Sequence, residues 1–332
     1  MSPREYDESD VRVRPGRRGS RPRTKRRPEH SDAVPAMVTT VDRGRWTCAP
    51  DGDSTRPPVT AMRARELGRT PIVVGDQVGL VGDLSGAPDT IARIVRVAPR
   101  DTSLRRTADD DDPVERIVVA NAEQLIIVTA LADPEPRTGF VDRCLVAAYA
   151  GGLAPVLCLT KADLADPDGF AGQYRVLDLP VLVTRRDRWP GELAQLLVGR
   201  VSALVGHSGV GKSTLVNALV PDAALAVGRV SAIGKGRHTT TAALALPLPA
   251  ERGGGWVVDT PGVRSFGLAH VTPDDVPAAF GDLAVAIEDC PRGCGHLGPP
   301  ADPECALDGL VAEGRLAPAR LIALRRVLTA LG

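Results

Sequence analysis

Aromatic side chains are scarce in this chain: Phe, Trp and Tyr make up 3% of its 332 residues. The core must therefore be built from Ala, Val and Leu, and the 43% hydrophobic content is enough for that. No run approaches the ~18 uninterrupted apolar residues that a membrane helix needs. The N-terminus is polar and arginine-rich with no apolar h-region, so no secretory signal is read and a cytoplasmic protein is expected. Net charge is absent too, with 41 basic residues against 41 acidic ones. A chain of this length is expected to form two or three domains.

The zero balance hides an asymmetry. VRVRPGRRGSRPRTKRRP, residues 11–28, carries no acid, whereas Asp109 to Asp112 form an acidic run. Residues 1–35 read as a disordered basic tail, rich in Pro and Gly, and able to neutralise RNA phosphates. Residues 36–100 read as short strands: VTTVDRGRWTCA, VTAMRAREL, VVGDQVGLVGD and DTIARIVRVA, separated by turn signals such as DGD and LSGAPD. That spacing predicts a small β-barrel of the OB type. Trp46 is the one aromatic it offers for base stacking, so any RNA contact there is expected to be mostly to the backbone. A purely structural barrel fits the composition equally well.

From 101 to 275 the pattern changes to apolar strands alternating with amphipathic helices, which predicts a parallel sheet covered on both faces. SALVGHSGVGKSTLVNAL has the strand–loop–helix context that a phosphate-binding loop requires. Its nucleotide-contacting residues are Gly206, His207, Ser208, Gly209, Val210, Gly211, Lys212, Ser213 and Thr214. The glycines let backbone N–H groups face a β-phosphate at the helix N-terminus. Lys212 is expected to span the β- and γ-phosphates, and Ser213 to offer a hydroxyl to Mg²⁺. TKAD, at the end of the strand VLCLT, supplies Thr160, Lys161 and Asp163. An Asp there can accept from guanine N1–H and the 2-amino group, which adenine lacks, and the Lys161 stem can lie on the base. Thr160 stands where Asn is usual and is expected to loosen the scaffold behind the loop. A further base-contacting loop is expected near Thr184, its usual signature degraded to TRRD.

The guanine-reading segment here precedes the phosphate loop, the reverse of most P-loop GTPases. Both can serve one nucleotide only in a circularly permuted GTPase domain. DTPG, after the strand WVV, places Asp259 to hold Mg²⁺ through water and the Gly262 N–H near a γ-phosphate. Between the phosphate loop and DTPG lies IGKGRHTTT, where Thr240 is the expected Mg²⁺ ligand, with Thr239 and Thr241 as alternatives. Val263 occupies the position where many GTPases carry a water-orienting Gln. His238 is the candidate to replace it in catalysis alongside Lys212, against a plain surface histidine.

Cys144 and Cys158 lie in helix- and strand-like segments and read as buried hydrophobes. Cys290, Cys294, His296 and Cys305 instead cluster in a Pro/Gly-rich segment, a donor set for one closed, structural Zn²⁺ site. A disulfide is the alternative, disfavoured in a reducing compartment. Residues 276–332 thus read as a small zinc-binding helical domain ending in LAPARLIALRRVLTAL. The fold class is a multidomain α/β protein: an N-terminal β-barrel (OB-fold), a circularly permuted P-loop GTPase domain and this C-terminal element.

From about residue 40 onward the chain resembles the RsgA (YjeQ) family of small-ribosomal-subunit-dependent GTPases. The likeness rests on VVGDQV, RDTSLRR, TKADL, GHSGVGKSTL, GKGRHTTT, DTPGVRSFGL and the Cys/His cluster. It implies a barrel, a permuted GTPase and a zinc domain in this order. It also implies binding to the small (30S) ribosomal subunit and its 16S rRNA, hydrolysis of GTP to GDP late in maturation, and release as a monomer. The family's GRHTTT histidine is implicated in hydrolysis, which supports His238. The zinc spacing departs from the family's usual C-x4-C-x-H-x5-C, with one residue fewer before Cys294 and three more before Cys305. An RNA-binding scaffold with a regulatory, non-turning-over guanine nucleotide site is the alternative expectation. A GTPase of membrane or metal traffic is a third, which no lipid-facing segment supports.

Overall fold

Five strands close into a barrel at the N-terminal end of the described chain. The structure, a computed structural model, describes residues 30–107, 116–221, 243–261, 268 and 271–331. The basic stretch 11–28, the acidic run Asp109–Asp112, the loop Ile233–Thr241, Gly262, Val263 and His270 lie outside the described residues. The barrel strands are β1 (Val34–Asp42), β2 (Arg45–Pro50), β3 (Val59–Arg63), β4 (Gln77–Val81) and β5 (Ala92–Val97). They pair in the order β1-β2-β3-β5-β4 and return to β1, with β3 and β5 parallel and the other pairs antiparallel. The segment read as one run, VTTVDRGRWTCA, is in fact a hairpin. Arg43 and Gly44 both take positive φ (43° and 81°), the pair of left-handed residues that a tight two-residue β-turn demands. Trp46 is not available for stacking: it is buried in the barrel core, its indole N–H donating to the Ile72 carbonyl.

The barrel is joined to the next sheet by backbone. Residues Val34 to Met37 of β1 pair with β4, the register shifts between Val38 and Thr40, and Thr40 then pairs with Leu244 of β12 (Leu244–Pro247). A bulge of this kind turns a strand's free edge toward a new partner. The VVGDQV segment fills the resulting notch. Val38 exchanges backbone hydrogen bonds with Gly75 and Asp76, and the Ala120 N–H donates to Val74 O. At Gly75 φ is +89°, and a Cβ would stand 1.9 Å from the Ala120 carbonyl oxygen, so glycine is obligatory there. Asp76, fully buried, accepts from the Val73 N–H and from both Nε and Nη2 of Arg100 (2.6 and 2.8 Å). Arg100 opens RDTSLRR, which continues as β6 (Ser103–Arg106), paired with β7 (Arg116–Ala120).

Beyond it lies a sheet ordered β10 (Val181–Val183), β9 (Ala154–Thr160), β8 (Gln124–Ala130), β11 (Val201–Val205), β13 (Trp256–Asp259), β12. All neighbours are parallel except β12–β13, which a short connection holding one 3-10 turn (Ala250–Arg252) joins into an antiparallel pair. Along each strand alternate residues enter different cores. Leu125 and Ile127, with Leu157, Leu159, Ala203 and Val205, pack on one face against α1 (Thr138–Ala150), α2 (Asp168–Arg175) and the C-terminal α7 (Pro318–Leu328). Ile126 and Val128, with Val156, Cys158 and Leu204, pack on the other against α3 (Gly191–Leu197) and α4 (Lys212–Leu219). These aliphatic strands are buried on both sides, which is why they read as continuous apolar runs. Cys144 and Cys158 lie fully buried within these cores, and burial pushes the Cys158 thiol up to about 12.

The C-terminal segment carries α5 (Gly281–Ala284), α6 (Ala306–Ala312) and α7, and shares the α1-side core. Arg326 on α7 pairs with the buried Asp142 of α1 (Nε–Oδ2 3.1 Å) and lies 4.6 Å over the Tyr174 ring. Among the described residues no helix is long and apolar enough to cross a membrane. Asp76→Ala would leave Arg100 without its carboxylate and a turn N–H unpaired. It is expected to lower stability by about 3 kcal/mol, read as a shifted urea midpoint.

Candidate nucleotide site and metal centre

Because β8, β9, β11 and β13 run parallel, their C-terminal ends share one edge, where open α/β sheets place their ligands. That edge carries the phosphate loop after β11, TKAD at the end of β9 and Asp259 at the end of β13. The swapped chain order therefore has no consequence for the site: only the neighbours in the sheet matter.

The phosphate loop is shaped by its glycines. Gly206 packs so closely under β8 that a Cβ would lie 2.6 Å from the Val128 carbonyl oxygen. Gly209 and Gly211 take φ of 84° and 93°, and Gly211 is the residue from which α4 starts. Ser208, Ser213 and Thr214 are exposed around that helix end, whereas Val210 is buried beneath it. The His207 ring packs on Phe140 (centroids 4.0 Å apart), and burial, aided by the charge of Arg137, lowers its pKa. Lys212 is largely buried. Its ammonium donates to the Thr260 carbonyl and stands 3.0 Å from Asp259 Oδ1, a contact of charge rather than an aligned hydrogen bond. Thr260 is fully buried and donates its hydroxyl to Leu204 O at 2.7 Å, fixing the DTPG turn to β11.

TKAD meets this loop directly. The Thr160 hydroxyl lies 2.5 Å from the Val210 carbonyl oxygen and 3.3 Å from that of Thr129; its single proton serves the shorter contact. Instead of a loosened scaffold, threonine supplies a buried bond from base loop to phosphate loop. Lys161 adopts a left-handed φ of 60° and donates to Asp133 O, in the loop that follows β8. TRRD completes the wall. Thr184 donates its N–H to Leu159 O (2.7 Å), the Ala162 N–H donates to Thr184 O (3.3 Å), and the Arg186 N–H faces Asp163 Oδ1 at 3.5 Å. A purine held here would meet carboxylate, lysine stem and backbone from three loops. His238, Thr240 and Gly262 lie outside the described residues.

The four sulfur and nitrogen donors of Cys290, Cys294, His296 and Cys305 lie within 4.8 Å of one another. Cys290 Sγ is 3.5 Å and Cys305 Sγ 4.0 Å from His296 Nδ1. A tetrahedral zinc site with ordinary Zn–N and Zn–S bonds has N···S edges of about 3.5 Å, so the set fits that ion. The three extra residues fall in the loop after His296, where Asp302 accepts from the N–H groups of Gly295 and Leu297, and these bonds hold its carboxyl below the usual range. His296 Nε2 is 2.8 Å from Asp274 Oδ1, leaving Nδ1 for a metal. Sequence reasoning missed Asp274, which lies on a separate short turn 22 residues away. It also missed the Val210 and Asp133 carbonyls, since backbone acceptors leave no trace in residue type.

A family profile described as RsgA GTPase matches residues 97–269. Proteins named small ribosomal subunit biogenesis GTPase RsgA are 39% identical over 270 residues. The match covers 78% of this chain and 76% of the Pseudomonas aeruginosa protein, or 75% of the Pseudomonas fluorescens one. Among solved structures, YjeQ from Thermotoga maritima aligns with a TM-score of 0.63 and 26% identity over 90% of this chain and 98% of that one. YloQ, described as a circularly permuted GTPase, aligns at 0.64 with 20% identity over 91% and 96%. Thr160→Val keeps the shape and removes the hydroxyl, stranding the Val210 carbonyl. Guanine nucleotide affinity, measured with a fluorescent GDP analogue, is expected to fall roughly tenfold while the fold is retained.

Proposed function

The chain belongs to the RsgA GTPase family; from that premise we propose that it binds the small (30S) ribosomal subunit through 16S rRNA and acts as a late maturation checkpoint. It is a GTP-hydrolysing enzyme of ribosome biogenesis. What supports the finer reading is the name of the relatives, small ribosomal subunit biogenesis GTPase RsgA, in a chain whose Thr160–Val210 bond joins the TKAD loop to the phosphate loop. The division of labour follows residues 36–100 as an RNA-binding barrel, 101–275 as the GTPase and 276–332 as the zinc element, with the protein acting as a monomer.

In this reading Asp163 and Lys161 hold the guanine, and the backbone of Gly206 to Thr214 with Lys212 holds the phosphates. Ser213, Thr240 and Asp259 would hold Mg²⁺, which supplies charge neutralisation at the phosphates. The Gly262 N–H meets the γ-phosphate, and His238 orients the attacking water once the subunit presses the GKGRHTTT loop into place. The barrel's outer face suits a backbone contact. Arg45, Met62 and Arg93 are exposed and directly opposite one another across β2, β3 and β5. Zn²⁺ in the Cys/His cluster would anchor a segment short of regular structure to α6.

Purified small subunits, but not large ones, are expected to raise the GTPase rate well above that of the free protein; equal stimulation by both would reject the partner. His238→Ala is expected to lower the stimulated rate by about 10² while leaving GDP affinity unchanged. One zinc per chain is expected by elemental analysis, lost in Cys294→Ser together with a lower thermal midpoint.

A further inference from the structure

The turn after β10 has a second side. Its inner backbone faces Asp163, while its outer side carries Arg185, Arg186, Arg188 and Trp189, all exposed. Trp189 is 50% exposed, unlike the buried Trp46 and Trp256. The Arg252 guanidinium sits 4.5 Å over the Trp189 ring and orients it. The indole forms a wall between two hollows of about 520 and 300 Å³, one reaching Val198 and Arg252, the other Thr184 and Arg188. Asp187 pairs with Arg185 at 3.0 Å, whereas Arg186, Arg188 and Arg252 have no ion pair among the described residues. Asp187 also attracts Arg188, Asp163 lies close enough to act on Arg185, and Glu192 lines the second hollow.

A half-exposed indole held by one guanidinium and flanked by others that no carboxylate contacts directly has the chemistry of a base-stacking platform beside phosphate-binding cations. Burial does not need this tryptophan, and the contacts that join TKAD, the phosphate loop and Thr184 to Arg186 do not use it. We propose that the Arg185–Trp189 turn, with Arg252, is a contact for an unpaired RNA segment: a base stacks on Trp189, and Arg186 and Arg188 meet its phosphates. This deepens the ribosomal reading and rests on it for the identity of the RNA. Duplex RNA, whose bases are already stacked, suits the site poorly.

The two other tryptophans are buried and emit without touching solvent, so quenching by contact with a base can arise only at this one. Titration of the full-length protein with a 12-nucleotide oligouridylate is expected to quench tryptophan emission, and a 12-base-pair duplex RNA is not. Trp189→Phe should abolish the quench, and Trp189→Leu should weaken oligouridylate binding by fluorescence anisotropy roughly tenfold. GDP affinity, unchanged in Trp189→Leu, checks that the fold is intact. Binding seen by anisotropy with no quench, or with equal affinity in Trp189→Leu, would overturn the proposal whatever the ribosome does. Loss of subunit binding in Trp189→Leu without any oligonucleotide effect would overturn it too, and would assign the surface to a protein. Absent stimulation by small subunits would instead refute the ribosomal role and leave the quench to be judged alone.

Discussion

The hydroxyl of Thr160 donating to the carbonyl of Val210 is the contact on which the site depends. It is buried, so its loss would leave a carbonyl desolvated and unpaired, and it spans two segments 50 residues apart in the chain. It can form only because β9 and β11 both flank β8 in parallel and end on the same edge. Circular permutation changes which loops are covalently continuous and leaves that adjacency untouched. TKAD and the glycine-rich loop thus keep their mutual position although the sequence presents them in reverse of most P-loop GTPases.

A second constraint fixes what surrounds this edge. The barrel is not tethered by a linker alone: β1 donates its edge first to β4 and then to β12, and the Asp76–Arg100 pair clamps the loop at the crossover. Strand β12 in turn pairs with β13, whose last residue is Asp259. A load on the barrel therefore reaches the switch strand through two strand pairings. On the opposite face, α7 and the Cys/His segment pack into the core that supports α1. The elements proposed to touch the ribosome are in this way mechanically continuous with those that hold the nucleotide.

Much of this was legible in residue types. Phosphate loops need glycine where φ turns positive, metal sites need sulfur and imidazole, and doubly covered strands need unbroken aliphatic runs; each leaves a mark in sequence. What was not legible depends on partners. Trp46 reads as a stacking residue and is instead a core residue, because nothing local says which face of a strand a barrel closes over. The Arg43–Gly44 turn was hidden inside a run that looked continuous. Thr160 read as a weakened Asn because its acceptor, a backbone carbonyl, has no residue signature. The role of VVGDQV lies in a contact between distant segments, Gly75 packed against Ala120 at the end of β7, and no local pattern marks it.

The account turns on a single guanine nucleotide being gripped by loops written in inverted order, with Asp163 choosing the base. The most direct measurement exchanges that carboxylate for an amide, Asp163→Asn, and compares affinity for guanosine and xanthosine diphosphates. The account predicts that preference moves from guanosine to xanthosine, since the amide can pair with the xanthine oxygen that replaces the 2-amino group. An Asp163→Asn protein that still favours guanosine as strongly as the wild type would contradict it.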